Sequence, residues 1–533
     1  MRVAIVGATG NTGTALLEEL AGRDEVSSLL GIARRMPDVQ TEPYSQAEWA
    51  IADVQFPEVH QELVTHFKDV DAVVHLAWLI QPNSKRELLR RVNVDGTRHV
   101  LEAAAEAGVE RIAVASSVGA YSPVDDDELR DESWPTDGIP GSHYSADKAA
   151  QERVLDEFEA VHPDIALARL RPGLIFQSGA GSEIQRYFAG SFAPVQVLNA
   201  VRPPMLPMLR GIRSQAVHAK DVAAAYAEAV IRGARGAFNV AAEDVLDGET
   251  IAAVVARRKG GRASIPLPMA PIRPAVKALH RIRVLPMDEG WLDMAAGVPL
   301  MDTTRARTEL DWEPTTTSAQ ALAELIDAMS SGEGRGSVPM RPRGHSPMSD
   351  HPLPKPEHQL PEEIDAGLLR SYMADHLAGA TAGLQRIHAM AAAFDDTPVY
   401  PQISQVAEGI ASEHRWMSDL MKAQGFPRPG LTAPLLWAGE RASRLKPYAR
   451  PLKRSPSALV LETELMIGAI TAKRQGWEVL SDYAASLGVD AEVFRQLVSA
   501  ADDQRETLAE VHNYARERAF HRSEETLTPQ LDT

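Results

Sequence analysis

The chain has 533 residues, a formal net charge of −18 and no cysteine. Its length predicts two or three domains, its acidic balance argues against a nucleic-acid-binding role for the whole chain, and the missing thiols exclude disulfides, cysteine nucleophiles and thiolate metal sites. No apolar stretch is long enough to span a bilayer, and the first residues do not resemble a signal peptide. We therefore expect a cytoplasmic protein with no membrane span.

A glycine-rich junction follows the first predicted strand. The apolar run Val3–Val6 leads into three glycines at the start of an apolar-periodic helix. Glycine permits a tight turn and close approach to a ligand, and the free N–H groups of a helix start favour an anion. A tight turn without a ligand is the alternative. The junction predicts a dinucleotide site, in which the pyrophosphate lies on Gly7, Thr9, Gly10, Asn11, Thr12 and Gly13.

Short apolar runs alternate with helical segments from Met1 to about Ser330. This alternation predicts an α/β fold, a Rossmann-type doubly wound parallel sheet with a small substrate-binding lobe, across residues 1–330. The predicted strands include 29–34, 72–77, 111–117 and 165–171, and the predicted helices include 87–107 and 145–160. A stretch rich in Gly, Pro, Ser and Arg then predicts a flexible linker at 331–361.

Tyr144 and Lys148 are four residues apart at a predicted helix start, so both side chains lie on one face. We expect the Lys148 cation to lower the pKa of the Tyr144 phenol from about 10, as proton exchange near neutral pH requires. Ser116 and Ser117 end a predicted strand, at the sheet edge where ligands gather in open α/β folds. A surface Tyr and Lys beside a capping Ser is the alternative.

The spacing of Gly7, Gly10 and Gly13, together with Ser117 and the motif Tyr144-x-x-x-Lys148, resembles the extended short-chain dehydrogenase/reductase superfamily, the NAD-dependent epimerase/dehydratase group. The resemblance covers about Met1–Met329. It implies that Tyr144 is the acid/base, that Lys148 holds the nicotinamide ribose, and that Ser117 rather than Ser116 polarises the substrate oxygen.

Smaller motifs extend the resemblance to further residues. It implies an adenine contact at Asp53 and Val54, a cofactor-lining strand end at Leu76 and Ala77, and support of the active-site helix by Asn93. Five more residues resemble family segments near the substrate: Ser116, Arg171, Pro172, Arg213 and His218.

The end of the second predicted strand bears on cofactor choice. Members that prefer NAD carry an acidic residue there to bond the ribose 2′-hydroxyl, whereas this chain has Arg34 and Arg35 and no carboxylate in residues 31–35. Two guanidiniums can grip a 2′-phosphate, so we expect NAD(P) binding with NADP favoured. Solvated surface arginines are the alternative.

Three departures from family patterns bear on the substrate. Leu174 stands where UDP-sugar epimerases usually have Asn, Arg213 is displaced by one residue from their phosphate-binding arginine, and Val118-Gly119 replaces the Asp-Glu pair of dehydratases. The resemblance therefore implies an NAD(P)-dependent oxidoreductase acting on a small secondary alcohol or ketone. A nucleotide-sugar epimerase with a sugar-derived substrate and a non-catalytic dinucleotide sensor remain alternatives, and a homodimer stays open.

Helical periodicity continues through residues 362–525, and a short tail follows at 526–533. It predicts four amphipathic helices forming a bundle. The connection between the second and third, 426–457, is long, which favours ferritin-like connectivity. We expect Leu461 and Leu465 to begin the buried stripe of the third helix. Glu413–His414 and Glu510–His512 diverge around their helices. A helical His on an apolar stripe is more often a hydrogen-bonded core residue, so we predict no metal site, with a converging set of His376, His414 and Glu462 as the alternative. The basic stretch 441–454 is expected to be solvated and paired with acidic neighbours, and contact with an anionic partner or a membrane surface is the alternative.

Overall fold

A computed structural model describes residues 1–80, 86–181, 184, 205–209, 211–259, 263–281, 288–331, 334–335, 337, 339–340, 360–394, 397, 399–426 and 456–520. The chain forms two compact units, Met1–Arg343 and Gly344–Thr533. The domain limits expected from the sequence stay predictions. The basic stretch 441–454 and the tail 526–533 lie outside the described residues. Of the described helices, none is long and apolar enough to cross a membrane.

Fourteen strands are described, all in the first unit. They are β1 (Arg2–Val6), β2 (Ser28–Ala33), β3 (Glu48–Ile51), β4 (Ala72–His75), β5 (Arg111–Ala115), β6 (Leu129–Arg130), β7 (Ala166–Pro172), β8 (Leu174–Phe176), β9 (Met205–Leu209), β10 (Arg213–His218), β11 (Gly236–Val240), β12 (Val245–Asp247), β13 (Ala263–Leu267) and β14 (Leu300–Met301).

Seven of these strands form one parallel sheet in the order β11-β7-β5-β4-β1-β2-β3. The predicted Rossmann fold is therefore confirmed. The strand order reverses between β1 and β4, and in open α/β sheets such a switch point opens a crevice at the carboxyl ends of the strands. The loops after β1 and β4 therefore flank the crevice.

The sheet is buried on both faces because its strands are apolar throughout. Along β1, Val3 and Ile5 join one buried cluster, whereas Ala4 and Val6 join another on the opposite face. Side chains alternate between the faces of a strand, so a continuous apolar run is what a sheet covered on both sides requires.

Helices of the first unit cover both faces and the lobe. They are α1 (Asn11–Ala21), α2 (Val59–His66), α3 (Arg86–Arg90), α4 (Gly96–Glu106), α5 (His143–Val161), α6 (Ala219–Arg232), α7 (Gly248–Lys259), α8 (Met269–Arg281), α9 (Gly290–Gly297), α10 (Thr304–Leu310) and α11 (Ser318–Ser331).

The helix predicted at 87–107 is interrupted by a π-helical turn, Arg91–Asp95. Thr97 Oγ1 donates to the Asn93 carbonyl at 2.7 Å, and the Asn93 side chain is bonded to the backbone of Leu79. These side-chain bonds accompany a widened turn that a uniform helical period does not reveal.

In the second unit the described residues form four long helices: α12 (Ala366–Ala393), α13 (Tyr400–Ala423), α14 (Pro456–Asp482) and α15 (Ala491–Arg518). Ile403 and Leu459 lie in one buried cluster, and Trp416 and Trp477 lie in another. Helices α13 and α14 therefore run in the same direction, and the residues that connect them, 427–455, lie outside the described residues. This arrangement matches the predicted ferritin-like connectivity.

The buried stripe predicted for α14, beginning at Leu461 and Leu465, is wrong because the buried face of the helix is displaced by one residue. Leu465 is 45% exposed, whereas the neighbouring Met466 is buried and shares its face with Ile470. Two adjacent apolar residues fit two helical phases equally well, so the packing of α14 against the other helices decides which one is buried.

Candidate active site

The loop after β1 is shaped by three glycines in different ways. Gly7 has φ +92°, and a Cβ there would lie 2.6 Å from the Ala77 amide nitrogen. A Cβ on Gly13 would overlap the Gly7 carbonyl oxygen. At Gly10 the nearest atom to a Cβ is 3.6 Å away. The missing side chains of Gly7 and Gly13 thus allow close packing of the loop against neighbouring backbone, whereas Gly10 leaves space beside the loop.

The start of α1 offers N–H groups to a ligand. Its N-cap, Gly10, has no side chain to bond them, and in the part of the chain that the structure describes no acceptor is found for the amides of Asn11, Thr12 and Gly13. Uncapped amides and the helix dipole favour an anion. These residues therefore fit the pyrophosphate of a dinucleotide.

Distant segments hold this loop in place. Ser337 Oγ donates to the Thr9 carbonyl at 2.7 Å, and Gln177 Nε2 donates to the Asn11 carbonyl and to its side-chain oxygen at 2.8 and 2.6 Å. Ser337 is fully buried although it falls in the stretch expected to be a flexible linker. Neither residue carried a sequence signal, because each acts through a contact more than 160 residues away.

The expected adenosine side contains Arg34 and Arg35, which follow β2 directly and are both half-buried. Asp53 follows β3, and its carboxylate accepts from the Gln55 side chain at 2.8 Å. Val54 is buried against Gly96, where a Cβ would lie 2.7 Å from Val54 Cγ2. The backbone of Leu76 donates to Val6, which places Leu76 and Ala77 opposite the glycine loop.

Tyr144 meets Ser117 at the carboxyl end of β5. The Tyr144 phenol interacts with the side chain of Ser117, whose Oγ accepts the Gly119 amide at 3.0 Å. Burial raises the pKa of Tyr144, and the interaction with Ser117 only partly opposes that rise. The expectation that Lys148 lowers this pKa is therefore wrong for the structure described.

The reason lies in the contacts of Lys148. Its ammonium donates to the Ala115 carbonyl at 2.6 Å and to Gln151 at 3.0 Å, and it lies 3.4 Å from the centre of the Trp78 ring. Burial also lowers the pKa of Lys148 well below its usual value. The ammonium is thus engaged by the strand end and the indole rather than by the phenol.

A buried hydrogen-bond chain connects Lys148 to the loop after β4. Gln151 accepts from Lys148 and donates to Thr97 Oγ1 at 3.1 Å, which in turn contacts His75 Nε2 at 3.1 Å. Burial lowers the pKa of His75 to about 3, so the ring stays neutral. Because the Thr97 hydroxyl donates to Asn93, His75 Nε2 must be the donor in this chain.

Asn93 forms a two-point clamp on the same loop. Its Oδ1 accepts the Leu79 amide at 2.7 Å and its Nδ2 donates to the Leu79 carbonyl at 2.9 Å, while its side chain also bonds Asp147 of α5. Asn93 therefore ties the loop after β4 to the helix that carries Tyr144, which is the supporting place that the resemblance implies.

Two tryptophans flank the phenol. Trp291 lies 5.2 Å and Trp78 5.8 Å from the Tyr144 ring, centre to centre. Trp78 follows the expected cofactor strand by one residue, whereas Trp291 begins α9 more than 140 residues after Tyr144. Neither tryptophan is predicted from the sequence, because an isolated tryptophan carries no spacing signal. They give the site an apolar, aromatic wall.

Ser116 and Arg171 are directed into a buried ion cluster beneath the site. Ser116 Oγ donates to Glu152 at 2.5 Å, and Arg171 makes a bidentate pair with the same carboxylate at 2.9 Å. Burial alone would raise the pKa of Glu152, but Arg171 and Arg169 lower it to about 2. The contacts of Ser116 and Arg171 are thus structural, and the structure does not bring them to the substrate side of Tyr144.

The remaining expected substrate residues are also dispersed. Pro172 ends β7 and pairs with Val240 of β11. His218 caps α6 through Nδ1 and contacts Glu324 at 3.1 Å through Nε2. Arg213 pairs with Asp127 at 2.9 Å, but its Nε and Nη2 are buried with no partner among the described residues. Of the three, only Arg213 keeps hydrogen-bonding capacity for a ligand.

The described residues contain no group of three or more His, Asp or Glu side chains placed to hold a metal ion. In the bundle, Glu413 instead pairs with Lys473 and accepts from Gln504 at 2.7 Å.

Comparison with known proteins gives three findings. The family model for the NAD dependent epimerase/dehydratase family matches residues 3–241. The NAD-dependent glucose-6-phosphate dehydrogenase of Haloferax volcanii is 31% identical over 203 residues, which are 34% of this chain and 72% of that protein. A Synechocystis sp. protein provisionally named dihydroflavonol 4-reductase is 26% identical over 344 residues, 60% of this chain and 92% of that protein.

A solved structure of UDP-glucose 4-epimerase from Thermus thermophilus, in complex with NAD, is also similar. It is 22% identical and covers 62% of this chain and 99% of its own, with a TM-score of 0.45. Similarity at this level does not bear on the substrate of the present chain.

Proposed function

The chain belongs to the NAD dependent epimerase/dehydratase family, and from that premise we propose that it is an NAD(P)-dependent oxidoreductase acting on a secondary alcohol or ketone. The single observation that carries the proposal is the placement of the Tyr144 phenol beside Ser117 and Gly119 at the carboxyl end of β5. That edge of the sheet also presents the uncapped start of α1.

The cofactor would be held by the residues that line the switch point. The amides of Asn11, Thr12 and Gly13 would bind the pyrophosphate, and Lys148 would bond the nicotinamide ribose. Asp53 and Val54 would lie along the adenine, and Leu76 and Ala77 along the opposite wall. When bound, the nicotinamide would supply or accept a hydride at the substrate carbon.

Tyr144 moves the proton. In the reductive direction its phenol donates a proton to the carbonyl oxygen, and in the oxidative direction its phenolate removes the proton from the alcohol. The raised pKa of Tyr144 keeps the phenol protonated at neutral pH, which suits ketone reduction. Ser117 orients the same oxygen through its hydroxyl, and Asn93 is a positioning residue that ties the neighbouring loop to α5.

NADP is the favoured cofactor in this proposal. Arg34 and Arg35 stand where an NAD site carries a carboxylate, and the nearest carboxylate downstream, Asp38, bonds the Gln40 amide within its own turn. Guanidinium groups at this place match the geometry of a 2′-phosphate.

The substrate would be an apolar carbonyl compound. Trp78 and Trp291 flank the phenol, and their rings offer an apolar surface on which a flat or hydrophobic group can pack. Two similar proteins are named as oxidoreductases, one a glucose-6-phosphate dehydrogenase and the other provisionally a dihydroflavonol 4-reductase, which supports hydride transfer at a carbinol carbon.

A nucleotide-sugar epimerase is the second candidate, and Arg213 favours it. Its Nε and Nη2 are buried with no partner among the described residues, and a diphosphate would supply the acceptors that they lack. The epimerase would use the same Tyr144 and Ser117, so only the substrate distinguishes the two candidates.

The test is turnover of a substrate panel by the full chain and by Tyr144→Phe. The panel contains aryl ketones, cyclic ketones and UDP-glucose, with NADPH and with NADH. We expect NADPH-dependent reduction of an aryl ketone, lowered about 10²–10⁴-fold in Tyr144→Phe while NADPH affinity is unchanged. Tyr483→Phe, on the exposed surface of the bundle, is the matched control and should keep full activity.

Other outcomes discriminate the alternatives. Full turnover by Tyr144→Phe would overturn the acid/base role. Epimerisation of UDP-glucose without ketone reduction would establish the second candidate. Tight cofactor binding with no turnover of any panel member would support the remaining alternative, a non-catalytic dinucleotide sensor.

A further inference from the structure

The second unit contains a cavity of about 350 Å³. It lies between α12 and α14, with α13 as its floor. The space exists because small residues face one another across it: Gly379, Ala380 and Gly383 on α12, and Ala469 and Ala472 on α14, whereas the His376 ring packs against Gly476. At Gly379 and Gly383 a Cβ would meet no atom within 4 Å. This volume is in the range of small-molecule sites.

Most of the wall residues are apolar, with Asp375 and His376 as the polar side chains on α12, and the charges on the floor neutralise each other. Ile410, Met417, Met466 and Ile470 line the cavity. Lys473 donates to Glu413 and to Gln504, and Gln504 donates to the second oxygen of Glu413. Both carboxylate oxygens are satisfied and the two charges cancel. The floor therefore does not attract an ion of either sign.

Specific polar atoms nevertheless remain for a ligand. Trp477 lines the cavity and is 5% exposed, yet its Nε1–H has no partner among the described residues. Lys473 has three N–H donors and uses two of them. A buried donor without an acceptor is costly, so a ligand oxygen at this place would be stabilised.

One acceptor can be assigned from the hydrogen bonds of His414. The Thr381 hydroxyl donates to the Leu377 carbonyl at 2.8 Å, so in its 2.9 Å contact with His414 Nε2 the ring nitrogen must be the donor. Burial, reinforced by Arg415, lowers the pKa of His414. The ring is therefore neutral, and Nδ1 is an acceptor.

We propose that this cavity binds an uncharged, ring-bearing small molecule that carries a hydroxyl group. The hydroxyl oxygen accepts from Trp477 or Lys473, its hydrogen is donated to His414 Nδ1, and the ring fills the space left by the glycines. The cancelled floor charges give no countercharge to a carboxylate ligand, and Asp375 on the wall repels one. The site is independent of the oxidoreductase proposal, because all its residues belong to the second unit.

The test is isothermal titration of the full chain with 2-naphthol and, separately, with 2-naphthoate. We expect one equivalent of 2-naphthol to bind, and 2-naphthoate to bind at least about tenfold more weakly. Gly383→Leu, which fills the cavity, should weaken 2-naphthol at least about tenfold. Gly468→Leu is the matched control: it is also a helical glycine with no atom within 4 Å of a Cβ, but it does not line the cavity.

Two further variants test the contribution of the polar groups separately from that of the cavity volume. Trp477→Phe keeps a ring but removes the N–H, and His414→Leu removes the acceptor; each should weaken 2-naphthol severalfold and leave circular dichroism unchanged. The proposal is overturned if the full chain shows no saturable binding, if Gly383→Leu binds as tightly as Gly468→Leu, or if 2-naphthoate binds as tightly as 2-naphthol.

Discussion

The Lys148 ammonium lies 3.4 Å from the centre of the Trp78 indole ring and donates to the Ala115 carbonyl, not to the Tyr144 phenol. A cation over an indole is stabilised by the ring, most strongly where water is excluded. Because Trp78 and Ala115 engage the ammonium, Lys148 does not lower the pKa of the Tyr144 phenol. Its protonation is governed by burial and by Ser117, with no contribution from the lysine.

The first prediction concerns pH. Because burial raises the pKa of Tyr144, the fraction of phenolate grows only at strongly alkaline pH. Alcohol oxidation, which needs the phenolate, should accelerate as the pH rises through the alkaline range, whereas ketone reduction should stay constant from neutral pH until the phenol ionises. The measurement is the pH dependence of kcat in each direction.

The same profile tests Ser117 and Lys148. Removing the hydroxyl in Ser117→Ala removes the interaction that lowers the pKa of Tyr144, so the oxidation profile should shift to higher pH. A wild-type oxidation midpoint near neutral pH would contradict the prediction and would show that Lys148 reaches the phenol in the loaded enzyme.

The two adjacent serines form a matched pair. Ser117 contacts Tyr144, so Ser117→Ala should lower kcat about 10²-fold with intact folding. Ser116 bonds Glu152 instead, so Ser116→Ala should keep most activity and lower the free energy of unfolding by about 1–3 kcal/mol. Steady-state kinetics and urea denaturation check both. Equal losses of kcat in the two variants would refute this assignment.

The glycine loop offers a second pair. A Cβ at Gly7 would collide with the Ala77 backbone and would have to adopt φ +92°, so Gly7→Ala should destabilise the first unit by more than about 1 kcal/mol. At Gly10 a Cβ meets nothing closer than 3.6 Å, so Gly10→Ala should fold normally yet bind NADPH more weakly. Thermal unfolding and NADPH fluorescence titration distinguish them; normal NADPH affinity in Gly10→Ala would place the pyrophosphate elsewhere.

Glu152 should be important for stability rather than for chemistry. Its carboxylate is 1% exposed and bonded by Arg171 and Arg169. Glu152→Gln leaves the buried Arg171 guanidinium without a countercharge, whereas Arg169 keeps Asp156 and Glu159, so the substitution should cost about 3 kcal/mol. Glu157→Gln, which breaks an exposed pair with Arg98, should cost less than about 1 kcal/mol. The readout is hydrogen exchange of β5 and β7 peptides in urea, which separates this unit from the bundle.

The sign of the pH effect at Glu152 follows from its lowered pKa. The folded pKa is about 2, below the ordinary value of about 4.3, so the stabilisation is complete above about pH 5 and is lost as the pH falls towards 2. The gap corresponds to at most about 3 kcal/mol. In Glu152→Gln this acid-dependent loss should disappear, and its persistence would assign the loss to other carboxyl groups.

Cofactor choice is tested at Arg34 and Arg35. Substituting either by alanine should weaken NADPH at least about tenfold and leave NADH within about twofold, because only NADPH carries the 2′-phosphate. Nicotinamide fluorescence gives both affinities, and Asp38→Asn serves as a nearby control that should change neither. If the wild type binds NADH as tightly as it binds NADPH, the two arginines do not determine cofactor choice and NAD is favoured.

The sequence by itself determined the parallel sheet, the glycine loop, the four helices of the bundle and the common face of Tyr144 and Lys148. These features depend on local period and on the order of elements along the chain, which can be read from neighbouring residues. Ser117 and Tyr144 were expected together, because Ser117 ends a predicted strand and Tyr144 lies at a predicted helix start at the same edge of the sheet.

Only the tertiary structure decided how those residues are used. Trp78 rather than Tyr144 receives the Lys148 ammonium, Ser116 bonds Glu152 in the buried ion cluster, and Ser337 holds Thr9 from 328 residues away. It also decided that Met466 rather than Leu465 is buried. The period of the sequence fixes which face of its own helix or strand a residue occupies. The pKa, the hydrogen-bond partner and the exposure of that residue depend instead on which distant groups pack against that face. The fold sets which groups these are.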